Sequence, residues 1–533
     1  MMLVLHARTK EEYTMADSVR HIILITTDQQ RYDTLGCTGS KVAKTPNIDR
    51  LAKDGAVYSQ AYSPNPACIP ARANIVTGLP CRYHTFTHNF FHNETQIPYG
   101  LPTFPRLLSD HGWHTVAIGK MHFSPTRRSN GFDHMELMEE IPQYLEDDEY
   151  LGYLKHQGWG KVQSVHGVRH YLYMKPQQSL IPEAHHGSTW VADRSIATIR
   201  ENHGTRPLLL WSSFIQPHPP FDVPHAWAHL YDDTELAAPY HSKTPISEIA
   251  KENQAIVDQS SAKQILRAKQ LYYSAISFVD YQVGRIIDAL KQYGMYDDSL
   301  IVFTSDHGEM FGDNDTFQKF VPYDGSERIP FVAKYPRGMK GTVDSDAFVD
   351  LNDLMPTFLD MAGIAYPANL SLPGGSLFQK RGKDRSRVFS EYHEGNKRWI
   401  SMRTKEYKYT YYFGGGKEEL FDMAHDPKEQ ENLLYSHTQD PKYRAIADTM
   451  NHALTEYDGQ YGLEGDVVDG KLVVREPYVA HPFIERNFPV FPKRIYSEDR
   501  ETMLSLKEEM ELAVQDEPTV DLSSFAWGHL PDV

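Results

Sequence analysis

Cysteine is scarce: 533 residues hold three, Cys37, Cys68 and Cys81. An odd trio cannot build the disulfide framework of a small secreted domain and suits a reducing compartment, so a cytoplasmic location is expected. Long apolar runs are missing too. No window reaches the roughly 18 apolar residues of a membrane helix. Residues 1–5 are apolar, but Arg8, Lys10, Glu11 and Glu12 follow at once, so neither a membrane span nor a signal peptide is expected. Basic charge is in deficit, with 54 Lys and Arg against 71 Asp and Glu and a net charge of -17. Such a field repels nucleic acid and anionic membrane, and neither is an expected partner. There is no internal repeat. What is present is a hydrophobic fraction of 40% and an aromatic fraction of 12%, enough for a large core in a chain too long for one domain.

Residues 22–27, Ile-Ile-Leu-Ile-Thr-Thr, read as a strand buried on both faces that ends at Asp28. Thr45-Pro46 then opens a helix and Gly55 closes it. Further strands are expected at residues 114–118, 208–214, 300–304 and 329–333. A long helix over 265–290 carries apolar residues at Ala268, Leu271, Ala275, Ile276, Val279, Val283 and Ile286. This alternation predicts an α/β fold, a large and mostly parallel sheet sandwiched by helices, with ligands beyond the carboxyl ends of the strands, where Asp28 and Asp306 sit.

Residues 369–387 are rich in Gly, Ser, Lys and Arg and read as a connection. The expected organisation is therefore a catalytic domain over 1–368, a smaller α+β domain with an antiparallel sheet over 369–463, and an extension over 464–533. In the second domain residues 407–413 and 419–422 are strands about a Gly414-Gly415-Gly416 turn. A charged helical piece is expected near 501–512. Aromatic anchors among prolines, Tyr478, Phe483, Phe488, Phe491 and Tyr496, make the extension a candidate oligomerisation arm.

The most informative stretch is Cys68-Ile69-Pro70-Ala71-Arg72, followed by Thr77-Gly78 at a helix end. Taken alone, Cys68 could be a small buried thiol. Other strings follow in order: Asp28-Gln29 after the first strand, Gly-Lys-Met-His-Phe with Lys120 and His122, Gln-Pro-His-Pro-Pro-Phe with His218, Asp306-His307-Gly308-Glu309, Lys319, and Arg328-Ile329-Pro330. From Ile22 to Leu433 the chain resembles the formylglycine-dependent sulfatase family of the alkaline phosphatase superfamily. Within it the resemblance is to the branch of choline sulfatases and phosphonate monoester hydrolases.

That resemblance implies an alkaline phosphatase-like fold and oxidation of Cys68 to formylglycine by a maturation enzyme. It implies one divalent cation, Ca²⁺ ahead of Mn²⁺ or Mg²⁺, on Asp28, Gln29, Asp306, His307 and the modified Cys68. Oxygen ligands suit such a cation, although many relatives carry a second Asp where this chain has Gln29. The resemblance assigns Arg72 to holding the formylglycine hydrate, His122 to the hydrate or sulfate oxygens, and His218 with Lys319 to the leaving-group side. Asn89, 21 residues after Cys68, would donate to hydrate or substrate. Lys120 adds a cationic donor where negative charge develops.

The implied activity is hydrolysis of a sulfate monoester, with a small sulfated sugar, aryl or choline sulfate as substrate and a homodimer or homotetramer as the assembly. A phosphonate monoester or phosphodiester hydrolase on the same scaffold is the alternative, since Asp28-Gln29 and Gln-Pro-His-Pro-Pro-Phe lean that way while Gly-Lys-Met-His-Phe leans to sulfate. A binding relative without catalysis is the third reading. On the pocket rim Arg127 and Arg128 could grip a second anionic group or stay solvated, and Tyr153 and Trp159 could stack on substrate or pack.

Overall fold

The computed structural model describes residues 21–89, 95–140, 142, 145–160, 165–166, 178–337, 347–378 and 385–480. The helical piece expected near 501–512 and the aromatic anchors beyond Tyr478 lie outside them. Strands of the first part are β1 (His21–Thr27), β2 (Ala56–Val57), β3 (Gln60–Tyr62), β4 (His114–Gly119), β5 (His134–Leu137), β6 (Leu208–Ser213), β7 (Ser299–Ser305), β8 (Phe331–Lys334) and β9 (Phe348–Asp350). Seven of them form one sheet in the order β2-β8-β7-β1-β6-β4-β5. Strands β1, β4, β5, β6 and β7 run parallel, whereas β8 is antiparallel to β7 and β2 to β8.

Strand β1 lies at the centre and all its residues are buried. Because successive side chains alternate, Ile23 and Ile25 join one core layer with the helices Gly187–Asn202 and Ala262–Gln292, while Ile22 and Leu24 join the other with the helices Cys68–Thr77 and Leu354–Met361. Each such aliphatic side chain contributes about 1.5–3 kcal/mol on burial. Helix Ala262–Gln292 starts in a capping box of Ser261 and Gln264 and buries its apolar stripe against the sheet. Strand β8 starts two residues later than the sequence suggested, since Pro330 has no N–H for the ladder.

The second sheet is antiparallel, in the order β10 (Arg387–Glu394), β11 (Lys397–Thr404), β12 (Tyr407–Tyr412) and β13 (Lys417–Asp422). One face, with Ile400, Met402, Tyr409 and Leu420, receives Ala447, Met450 and Leu454 of the helix Pro441–Tyr461. The other, with Tyr392, Trp399, Tyr412 and Phe421, packs on Ala67, Met310, Val321 and Tyr323. These last residues flank Cys68 and Lys319 in sequence, so the second sheet backs the loops of the site. A short hairpin, β14 (Val467–Val468) and β15 (Lys471–Leu472), follows, and Leu472 packs into the same layer as the helix Pro441–Tyr461. No helix among the described residues is long and apolar enough to cross a membrane.

Candidate active site

The register of β1 against β7 pairs Thr27 with Ser305, so Asp28 and Asp306 leave the sheet side by side. Gln29 takes a left-handed backbone (φ 64), and its N–H donates to Asp306 Oδ1 at 3.1 Å; the His307 N–H donates to the same oxygen at 2.9 Å. Opposite them helix Cys68–Thr77 begins at the cysteine and stops at Gly78, whose φ of 65 a glycine adopts without strain. Cys68 thus stands at a helix N-terminus, where the backbone favours negative charge. Asn89 accepts from the Ile69 N–H at 3.0 Å and turns its amide to the Cys68 sulfur at 3.5 Å.

Around the buried Sγ of Cys68 lie Lys319 Nζ at 2.9 Å, His307 Nε2 at 3.2 Å and Asp28 Oδ1 at 3.7 Å. Burial and the Asp28 charge push the thiol up, but Lys120, Lys319 and His307 outweigh them and hold it well below the ordinary thiol range. Burial likewise pushes Asp28 up, and Lys120, then His218, Lys319 and His307, hold it well below the usual carboxylate range. Burial and the Asp28 charge push Asp306 up to about 6. Burial opposes protonation of His307, yet Asp306 carries it above its ordinary value.

One donor atom each from Asp28, Cys68, Asp306 and His307 falls within 4.8 Å of all the others. Two like carboxylates crowded in a buried pocket beside an imidazole fit a divalent cation, which would relieve their repulsion. Gln29 flanks this cluster: its carboxamide oxygen accepts from Lys319 Nζ at 2.9 Å, and its nitrogen donates to Glu309.

Arg72 binds Asp306 through Nε (3.0 Å), Asp28 (3.3 Å), Ser213 Oγ (2.8 Å) and the Lys120 carbonyl. Lys120 is fully buried between Asp28 and Glu140. Its neighbour His122 has a left-handed backbone (φ 52) held by Glu139, whose carboxylate accepts from the Met121 and His122 N–H groups at 3.0 and 2.9 Å. The His122 Nδ1 is buried with no hydrogen-bond partner among the described residues, and a ring nitrogen of His122 lies within 4.8 Å of ligand atoms of Cys68 and Glu140. His218 places Nε2 3.5 Å from Glu140. Burial drives its ring down to about 3, against the pull of Glu140 and with the help of Lys319.

Every site residue expected from sequence therefore gathers around Cys68. Sequence reasoning missed Glu139, Glu140 and Glu309; Glu309 directly follows Asp306-His307-Gly308, and two backbone N–H groups, of Phe311 and Gln318, donate to its carboxylate. On the rim, Arg127 is paired with Glu149, and Arg128 stacks 4.1 Å over the exposed Tyr99 ring. Tyr153 and Trp159 pack about His185, with the Tyr153 hydroxyl 2.7 Å from its Nδ1.

Buried charged side chains gathered at the carboxyl ends of a mostly parallel sheet, four of which could hold a cation, beside a cysteine at a helix N-terminus, suit a hydrolase site for an anionic ester. A family model described as Sulfatase matches residues 20–364, and one described as N-sulphoglucosamine sulphohydrolase, C-terminal, matches residues 312–460. The chain belongs to the sulfatase family, and its reaction class is sulfuric ester hydrolysis. It is similar to an arylsulfatase of Clostridium perfringens, at 32% identity over 78% of this chain and 90% of that one. With a choline-sulfatase of Rhizobium meliloti it shares 28% identity over 78% of this chain and 82% of the relative. The fold is shared with the phosphonate monoester hydrolase of Agrobacterium radiobacter, at TM-score 0.68 and 23% identity over 86% of this chain and 100% of that one.

Proposed function

We propose that this chain hydrolyses a sulfate monoester to an alcohol and inorganic sulfate after a maturation enzyme converts Cys68 to formylglycine. The converted side chain would supply an oxygen nucleophile as its hydrate, and one divalent cation, Ca²⁺ ahead of Mn²⁺ or Mg²⁺, would polarise the sulfuryl oxygens. Asp28, Asp306 and His307 would hold that cation together with position 68, and Gln29 would complete the set with a neutral carboxamide. The observation that carries the reading is the convergence on Cys68 Sγ of a carboxylate, an imidazole, an ammonium and an amide within 3.7 Å.

The chain's own groups then divide the work. Arg72 is tied to both carboxylates and fixes their orientation beside position 68. Lys120 and Lys319 set two cations around the transferring group against the negative charge that grows on the departing oxygen, in a buried site where they need no reorganisation. The His122 ring and the Asn89 amide serve the hydrate or sulfate oxygens, and His218 stands with Lys319 on the leaving-group side. Sugar, aryl and choline sulfates are the substrate candidates.

Two measurements test this. Mass spectrometry of the Cys68 peptide from protein matured with a formylglycine-generating enzyme should find the aldehyde, and the matured protein should cleave 4-nitrophenyl sulfate faster than 4-nitrophenyl phenylphosphonate. An unmodified thiol in fully active protein overturns the first part. Faster phosphonate cleavage turns the reading to a phosphonate monoester hydrolase, which Gln29, in place of a second Asp, favours. For the assembly we propose a homodimer or homotetramer contacting through the extension over residues 464–533. An oligomer unchanged by truncation after residue 463, measured by light scattering, overturns that.

A further inference from the structure

Lys120 and His218 flank one carboxylate that the motifs leave unassigned. Glu140 is 4% exposed; its Oε2 pairs with Lys120 Nζ, and its Oε1 lies 3.5 Å from His218 Nε2. One of its oxygens lies within 4.8 Å of Cys68 Sγ and of a His122 ring nitrogen. A negative charge there opposes an arriving sulfate, because like charges a few ångströms apart in a buried site repel strongly. It helps the reaction only through an interaction stronger in the transition state than in the ground state.

The imidazole supplies that interaction. His218 Nδ1 lies 2.7 Å from the Pro219 carbonyl oxygen and so carries a proton, which leaves Nε2 as the nitrogen that can gain one. Nε2 faces Glu140. Burial keeps the ring neutral without an anion in the site, with Lys319 and Lys120 opposing protonation and Glu140 and Asp28 favouring it. A sulfate monoanion seated against the two lysines offsets their opposition to a proton and leaves Glu140 to set against burial, and one proton taken from solvent then bridges ring and carboxylate.

We propose that Glu140 is the positioning residue that holds this proton on His218 Nε2 for the departing oxygen, and that the substrates are sulfate esters of alcohols, sugars included, rather than of phenols. This rests on the sulfatase reading above. As the S–O bond to the alcohol breaks, its electron pair stays on the alcohol oxygen, which takes the Nε2 proton; the sulfuryl group passes to the nucleophile at position 68, whose own proton returns to solvent. A phenol departs readily as its anion and gains little from such a proton, whereas an alkoxide is far too basic to leave without one.

The test is the matured, metal-loaded full chain as wild type, Glu140→Gln, His218→Gln and the double variant, with kcat/KM measured on 4-nitrophenyl sulfate, phenyl sulfate, a primary alkyl sulfate and a 6-O-sulfated hexose. Wild type is expected to cleave the alkyl or sugar ester. Each single variant should lose about 10²-fold on those esters and less than about tenfold on 4-nitrophenyl sulfate, with the double variant no worse than either single one. Equal losses across the series would reduce Glu140 to a brace for Lys120 and overturn the proposal, and wild type confined to aryl sulfates would overturn the substrate class. If Glu140→Gln does not fold, as judged by metal content and thermal unfolding, the His218→Gln series decides by the same criterion. If wild type cleaves no sulfate ester but does cleave phosphonate monoesters, it is the sulfatase reading that fails, and alkyl against aryl phosphonates then test Glu140.

Discussion

The buried cluster of charge around Cys68 and the buried charges of the second sheet are balanced differently. In the second sheet Lys408 Nζ meets Asp324, Glu327 and Glu429 at 3.1, 2.8 and 2.7 Å. Arg398 meets Glu391, Asp458 and Asp466 at 2.7, 3.1 and 2.8 Å. Each cation is surrounded by carboxylates of its own chain and joins elements far apart in sequence. Around Cys68 the Lys319 ammonium meets a thiol instead, which Lys120 and His307 also hold low, and the His122 Nδ1 is buried with no hydrogen-bond partner among the described residues. Left-handed backbones at Gln29 and His122 aim side chains there at a local cost. A cluster whose charges answer one another fixes a fold; one left incomplete is completed by what it binds.

The sharpest way to separate the two is to remove the atom on which the open cluster converges. Cys68→Ala is expected to lower turnover of a sulfate ester by about 10⁶-fold, as loss of a nucleophile does, with the urea unfolding midpoint essentially unchanged. Activity within tenfold of wild type would remove Cys68 from the mechanism.

The converse change strikes the closed cluster. Lys408→Met leaves three buried carboxylates facing one another, and unfolding should become easier by about 3–5 kcal/mol, with kcat per folded molecule retained. A stable Lys408→Met variant with lost activity would reverse the roles of the clusters. Smaller again is Lys319→Ala, for which the barrier should rise by about 2.7–4 kcal/mol as for other lost charge donors. Circular dichroism and unfolding curves should match wild type, because Lys319 bonds to Gln29 and Cys68, which belong to the site itself.

The open cluster was legible in the sequence because strand ends and short motifs carry it: β1 and β7 are unbroken apolar runs ending in Asp28 and Asp306, and their parallel pairing brings the two together. The closed cluster was not. Strands β10 and β11, RVFSEYHE and KRWISMRT, bury Glu391, Lys397, Arg398 and Arg403, so their charged letters read as surface and hid the strands. Glu139 and Glu140 escaped for the same reason: two adjacent acids after β5 look solvated until the fold turns one to the amides of Met121 and His122 and the other to Lys120. The Arg127-Arg128 pair stayed open between an anion grip and a solvated pair, because the choice depended on Glu149, which only the tertiary structure brings to Arg127.

Histidines carry the same contrast at a smaller scale, and pH reads it. His307, in the open cluster, is raised by Asp306, whereas burial holds His186 down to about 4. His186 is 1% exposed; it caps the helix Gly187–Asn202 by accepting from the Ser188 N–H at Nδ1 (3.2 Å), while Nε2 donates to the Asp222 carbonyl at 3.1 Å. That neutral tautomer uses both nitrogens, so a second proton would face the Ser188 N–H. The unfolded chain, with a histidine near its ordinary 6.5, therefore binds more protons below that pH than the folded one, and stability falls as the pH drops from about 6.5 towards 4. By pH 5 the loss from His186 should be about 2 kcal/mol. Urea unfolding of wild type and His186→Asn at pH 7 and pH 5 measures it: asparagine can cap the helix without titrating, so the variant should lose about 2 kcal/mol less between the two pH values. Equal losses in the two proteins would show that His186 accepts its proton without unfolding and would remove it from the closed class.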